Sequence, residues 1–125
     1  MKILVVDDEA DVQVLFRQRF RREIRNGELN LMFATNGLDA MDVLFNSGQE
    51  IRLVLSDINM PGMSGLDLLK NIKTAEIAQT PDVIMITAYG DDENRLLCKN
   101  LGAENLLSKP LDFGALKELI AEKNT

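Results

Sequence analysis

With 125 residues, 46% of them hydrophobic, the chain has the size of one domain with a single core. Its net charge of −6 disfavours general affinity for nucleic acid or for an anionic membrane surface, since both need clustered positive charge. One cysteine and no histidine exclude an internal disulfide and leave zinc, haem and histidine-based proton transfer almost without ligands.

Along the chain, strand-length apolar runs alternate with helix-period segments. The opening KILVV (2–6) meets acids at Asp7, too soon for a signal-peptide core or a membrane span, so a cytoplasmic location is expected. A first helical segment carries Val12, Phe16, Phe20 and Ile24 at four-residue spacing. A strand at 29–34 (LNLMFA) precedes a second helical segment with Leu38, Met41, Leu44 and Phe45. A strand at 52–56 (RLVLS) precedes a third, with Leu66, Leu69 and Ile72. After a strand at 82–87 (DVIMIT), the acidic DDEN opens a fourth, with Leu96, Leu97 and Leu101, which Gly102 is placed to stop. The fifth strand, 103–108 (AENLLS), is less β-branched, and the last helical segment has Phe113, Leu116, Leu119 and Ile120. Strands apolar on both sides imply a mainly parallel sheet covered on both faces, a three-layer α/β/α domain. No linker, repeat or low-complexity segment interrupts it, so residues 1–125 are expected to be one domain, either standing alone or cut from something longer.

Polar residues collect where the strands end, and in open parallel sheets the carboxyl rim is where ligands bind. Strand one runs into Asp7, Asp8 and Glu9, strand three into Asp57, strand four into Thr87, and strand five into Ser108, Lys109 and Pro110. In the flavodoxin-like, doubly wound order 2-1-3-4-5, strands one and three are neighbours, and Asp7, Asp8 and Asp57 converge. Three such carboxylates repel, so protons or a cation must relieve them. With only oxygen ligands at hand, the expected cation is Mg²⁺ or Mn²⁺, which keeps several waters and commonly serves a phosphoryl group. Thr87 can offer a hydroxyl and Lys109 a mobile positive charge to that group. Taken singly, Asp8 and Asp57 read as helix-cap or turn acids, Thr87 as a strand-ending residue and Lys109 as a surface lysine. Four strand exits supplying acids, acid, hydroxyl and amine together favour the phosphoryl site.

The pieces ILVVDDE, VLSDINMPGMSGLDLL, VIMITA and LLSKP, in this order and spacing, resemble the receiver domain of two-component response regulators over essentially the full length. That resemblance implies that Asp57 accepts a phosphoryl group from a histidine kinase or a histidine phosphotransfer protein. Asp8, Asp57 and the backbone carbonyl of Asn59 would hold Mg²⁺, with Asp7 acting through metal-bound water. Thr87 and Lys109 would contact phosphoryl oxygens, and the Lys109–Pro110 peptide would be cis. The domain would be no conventional enzyme, although it takes part catalytically in its own phosphorylation and dephosphorylation. Phosphorylation would shift the surface of the fourth helical segment, fifth strand and fifth helical segment, controlling an effector protein or a domain outside residues 1–125. Receivers often pair through the last two helices, so a homodimer is among the assemblies implied. Where many receivers carry Tyr or Phe three residues before the lysine, this chain has Leu106, while Asn59 and Tyr89 stand where side chains flank the path of attacking water.

Two other readings compete. A haloacid-dehalogenase-type phosphatase also uses an aspartate after a strand with Mg²⁺, but wants a second acid two residues on, where this chain has Asn59. The other is a binding module whose acidic pocket is never phosphorylated. Of the features outside this set, Arg17, Arg19, Arg21, Arg22 and Arg25 read first as a solvated helix face and second as a docking surface for an acidic partner. Cys98 reads as a packed residue, and Met60 and Met63 as loop residues open to a kinase.

Overall fold

The computed structural model of the chain describes residues 1–47, 50–77, 79–88 and 92–123. Five strands, β1 (Lys2–Val6), β2 (Asn30–Ala34), β3 (Ile51–Asp57), β4 (Asp82–Thr87) and β5 (Asn105–Ser108), form one parallel sheet in the order β2-β1-β3-β4-β5. The fold is the expected doubly wound, flavodoxin-like arrangement. Tyr89 lies outside the described residues.

Alternation along each strand divides the core into two layers. Leu4, Val6, Val54, Val83, Met85 and Leu106 face helices α3 (Gly37–Ser47), α4 (Gly65–Thr74) and α5 (Asp92–Asn100), where Ala40, Leu44, Leu69, Ile72 and Cys98 are buried. Ile3, Val5, Leu53, Leu55, Ile84 and Ile86 face α1 (Ala10–Arg19) and α6 (Phe113–Lys123), through Phe16, Phe20, Leu116 and Ile120. The central strands β1, β3 and β4 are apolar on both sides because each must bury both faces.

The structure corrects the sequence reading at three points. The first helical segment is two helices, α1 and the short α2 (Arg21–Arg25), divided at Phe20, whose backbone (φ −105°, ψ 17°) leaves the helical path. Four-residue spacing could not reveal this, because Phe20 is buried while Ile24, one turn on, is 37% exposed. Numbering therefore shifts, and the fourth and fifth predicted helical segments are α5 and α6. The fifth strand starts at Asn105 instead of 103, because Gly102, at φ +97°, and Ala103 close the end of α5: their N–H groups donate to the carbonyls of Lys99 and Cys98. Finally, Met60 is buried and Met63 half-buried, because the loop after β3 folds back onto the core. No helix among the described residues is long and apolar enough to cross a membrane.

Candidate functional site

Parallel pairing puts the acids side by side. Val6 of β1 pairs with Ser56 of β3, so the residues that follow, Asp7 and Asp57, emerge next to each other at the carboxyl rim. Carboxylate oxygens of Asp7, Asp8 and Asp57 lie within 4.8 Å of one another. Asp7 and Asp57 are buried and Asp8 is exposed, so the group opens to solvent on one side.

Backbone hydrogen bonds mount these side chains. The Asp7 N–H donates to the Ala34 carbonyl (3.1 Å), extending the sheet one residue past β1, and Asp7 Oδ1 accepts from the Glu9 N–H (2.9 Å). On β3, the Ile58 N–H donates to the Ile86 carbonyl (2.9 Å), and Asp57 Oδ1 accepts from the Asn59 N–H at 3.3 Å. The chain then turns sharply and Gly65 returns beneath Asp57, its N–H donating to the Ile58 carbonyl at 2.7 Å. A Cβ at position 65 would lie 2.0 Å from the Asp57 carbonyl oxygen, so only glycine fits this approach. Neither Asp8 nor Asp57 caps a helix: the N-cap of α1 is Glu9, with no side-chain cap bond, and Ser64 caps α4 by accepting from the Asp67 N–H. The helix-cap reading of both acids is thereby removed, whereas the bond from the Asn59 N–H to Asp57 Oδ1 is one that a turn aspartate makes.

Lys109 enters from the other side. Its N–H donates to the Thr87 carbonyl (2.8 Å), and a cis peptide joins it to Pro110. Nζ donates to Asp57 Oδ2 at 3.0 Å and stands 3.6 Å from Asp7 Oδ2. Thr87, wholly buried, ends β4 one residue past Ile86, the pairing partner of Asp57. Of the predicted site residues, Asp7, Asp8, Asp57 and Lys109 are thus brought together, Thr87 sits in the adjacent strand, and Asn59 is exposed with its N–H on Asp57. The residue that the sequence does not single out is Gly65, which has no side chain to mark the close approach it permits.

The electrostatics are unbalanced. Burial pushes the Asp7 carboxyl up from its ordinary value; the Glu9 N–H and the Lys109 ammonium oppose this, while the charges of Asp57 and Asp8 add to it. For Lys109, burial lowers the pKa, but the hydrogen bond to Asp57 and the charges of Asp57, Asp7 and Glu9 outweigh it, so the ammonium is held above its ordinary value. Three carboxylates face one ammonium, and every side-chain donor in the acid group is a hard oxygen. This donor set fits a small dication such as Mg²⁺ and gives nothing to a soft metal.

A parallel β2-β1-β3-β4-β5 sheet with an acid trio and a lysine at its carboxyl rim is the arrangement of a two-component receiver. The profile of the response regulator receiver domain matches residues 3–121, and the chain belongs to that family, which is not an enzyme family in the usual sense. It is 34% identical to sporulation initiation phosphotransferase F of Bacillus subtilis (strain 168) over 119 residues, 95% of this chain and 90% of that protein. It is 38% identical to the response regulator protein PilR of Pseudomonas aeruginosa over 122 residues, 96% of this chain but only 25% of that protein. Among solved structures it resembles a response regulator receiver domain protein of Clostridium thermocellum (TM-score 0.83, 28% identity, 97% of this chain and 91% of that one). A CheY-like receiver domain protein of Methanospirillum hungatei JF-1 is similarly close (TM-score 0.81, 29% identity, 98% and 91%).

Proposed function

We propose that Asp57 is a phosphoacceptor, charged by a histidine kinase or a histidine phosphotransfer protein. The observation that carries this reading is the 3.0 Å contact of Lys109 Nζ with Asp57 Oδ2 inside the acid group. A carboxylate at a strand end is a rigid nucleophile, and its N–H and ammonium partners fix its orientation before a donor arrives. One carboxylate oxygen of Asp57 attacks phosphorus, forming the O–P bond as the bond to the donor nitrogen breaks and the donor imidazole keeps that electron pair. Lys109 is then free to follow the charge from the carboxylate to a phosphoryl oxygen, and the Thr87 hydroxyl serves a second one. Asp8, Asp57 and the Asn59 carbonyl would hold Mg²⁺, with Asp7 acting through water; when bound, the ion neutralises charge on the transferring group. Hydrolysis reverses the state: water attacks phosphorus, phosphate leaves, and the Asp57 carboxylate is restored.

The output reading is a shift of the α5, β5 and α6 surface toward an effector. Leu106 stands where an aromatic residue is common; it is buried against the α5 side of the sheet, so this position supplies no swinging ring. We place this switch in the cytoplasm, with residues 1–125 as one receiver domain and a homodimer among its assemblies. Incubation with Mg²⁺ and acetyl phosphate tests the proposal by intact mass. A base-labile adduct that is absent from Asp57→Asn supports it. Steady hydrolysis of phosphomonoesters without the adduct would favour a phosphatase, and neither result would favour a binding module.

A further inference from the structure

The arginines of residues 17–25 take no part in the site above, yet the fold arranges them. Five arginines and one glutamate lie in this segment of a chain whose net charge is −6. At the division between α1 and α2, Phe20 is buried against Phe16 (ring centroids 5.9 Å) and Phe113 (6.0 Å), which fixes the direction in which α2 leaves. Glu23, the one acid, turns to α6 and pairs with Lys117 at 3.2 Å. Arg17 lies over the Phe33 ring (4.9 Å) and Arg19 over Phe113 (5.5 Å). Arg21, Arg22 and Arg25 are exposed, and their side chains make no ion pair or hydrogen bond among the described residues.

Between α1–α2 and the edge strand β2 runs a groove of about 360 Å³, lined by Arg17, Arg21, Ile24, Arg25, Asn30 and Leu31. Three guanidinium-bearing side chains form its wall. Ile24, 37% exposed, and the half-buried Leu31 give it apolar surface. Asn30 and Leu31 begin β2, whereas Ala34, at its other end, accepts from Asp7, so the groove and the phosphoacceptor site lie at opposite rims of the sheet.

We propose that this groove docks an acidic peptide segment of a partner protein that also carries apolar side chains. Guanidinium forks match carboxylates, and Ile24 and Leu31 can bury a Leu or Phe of the same segment. A short segment is favoured over nucleic acid or a membrane by charge. Screening confines the arginine field to about 8 Å at physiological salt, so a polyanion or lipid plane would extend past the patch onto a net-negative surface. Docking at this rim leaves Asp57 open, so a partner can remain bound while the phosphoryl group arrives.

The test is fluorescence anisotropy of a fluorescein-labelled peptide, Glu-Leu-Glu-Glu-Phe-Glu-Asp-Leu, with the full chain. Two double variants are compared: Arg21→Gln with Arg25→Gln in the groove, and Lys70→Gln with Lys99→Gln, exposed lysines on the other side of the sheet. Both should keep the wild-type thermal melt, since none of the four side chains makes an ion pair or hydrogen bond among the described residues. The proposal expects saturable binding that weakens as salt rises from about 0.05 to about 0.5 M. It also expects a loss of about tenfold in the arginine pair and little change in the lysine pair. Absence of saturable binding, or equal losses in both pairs, overturns it. So does arginine-dependent binding of a DNA duplex or of phosphatidylglycerol vesicles where the peptide does not bind. Arginine-dependent self-association in sedimentation, without peptide binding, would assign the groove to a second copy and likewise overturn the proposal.

Discussion

Substituting Gly65 by alanine probes the mount of Asp57 without touching a charged group. The added Cβ would stand 2.0 Å from the Asp57 carbonyl oxygen and 2.7 Å from the Ile58 Cα, both backbone atoms. Ordinary contact begins near 3.4 Å, so the end of β3 and the start of α4 must separate by more than an ångström. Two bonds resist that movement, Gly65 N–H to Ile58 (2.7 Å) and Ile58 N–H to Ile86 (2.9 Å). Overpacking of this kind costs about 2 kcal/mol, a fall in melting temperature of roughly 8 °C for a domain of this size. Misplacing a reacting group by about 1 Å slows a positioned reaction by about 100-fold. Calorimetry and the rate of acetyl phosphate labelling read the two effects separately. Gly114→Ala is the control, since its Cβ meets only Asp112 Oδ1, at 3.2 Å, and it should label at the wild-type rate. A Gly65→Ala protein that melts and labels like the wild type would refute the reasoning.

Three further outcomes follow from the same geometry. Because the folded Asp7 pKa is raised, the favourable contribution of Asp7 is complete below its ordinary value of 3.8 and is lost as pH rises through the folded value. In chelator, Asp7→Asn should therefore melt above the wild type at neutral pH and lose that advantage as pH falls through the folded value to the ordinary 3.8, whereas excess Mg²⁺ should raise the wild type more. Lys109→Met should slow labelling about 100-fold. In chelator it should also lower the melting temperature at neutral pH, a difference that shrinks as pH rises from the ordinary lysine value of 10.5 through the raised folded value. Phe20→Ala should cost about 4 kcal/mol in urea denaturation, because the ring is fully buried and anchors the start of α2.

The sheet was legible because its central strands announce themselves: LVV, LVL and VIMI are apolar at every position, which a strand buried on both faces requires. The site was legible for a related reason, since each strand leaves the core at a polar residue and parallel pairing then aligns the exits. What escaped was decided by contacts between distant segments. The four-residue spacing through Ile24 is the same whether the helix continues or breaks; the break comes from Phe20 packing against Phe16 and Phe113, and Phe113 lies far along the chain. Met60 sits in a polar, Pro-Gly loop that reads as exposed, and only the fold-back beneath Asp57 buries it. Gly65 has no side chain to signal its role, and the 2.0 Å approach that demands glycine exists only after folding.

The most direct measurement locates the phosphoryl group. After labelling with acetyl phosphate and Mg²⁺, borohydride reduction converts an aspartyl phosphate to homoserine, and tandem mass spectrometry of the peptides identifies the converted residue. Homoserine at position 57, with Asp7 and Asp8 unchanged, is the predicted result. Conversion at Asp7 or Asp8 in its place, or a phosphate adduct on a hydroxyl that borohydride leaves intact, would contradict it.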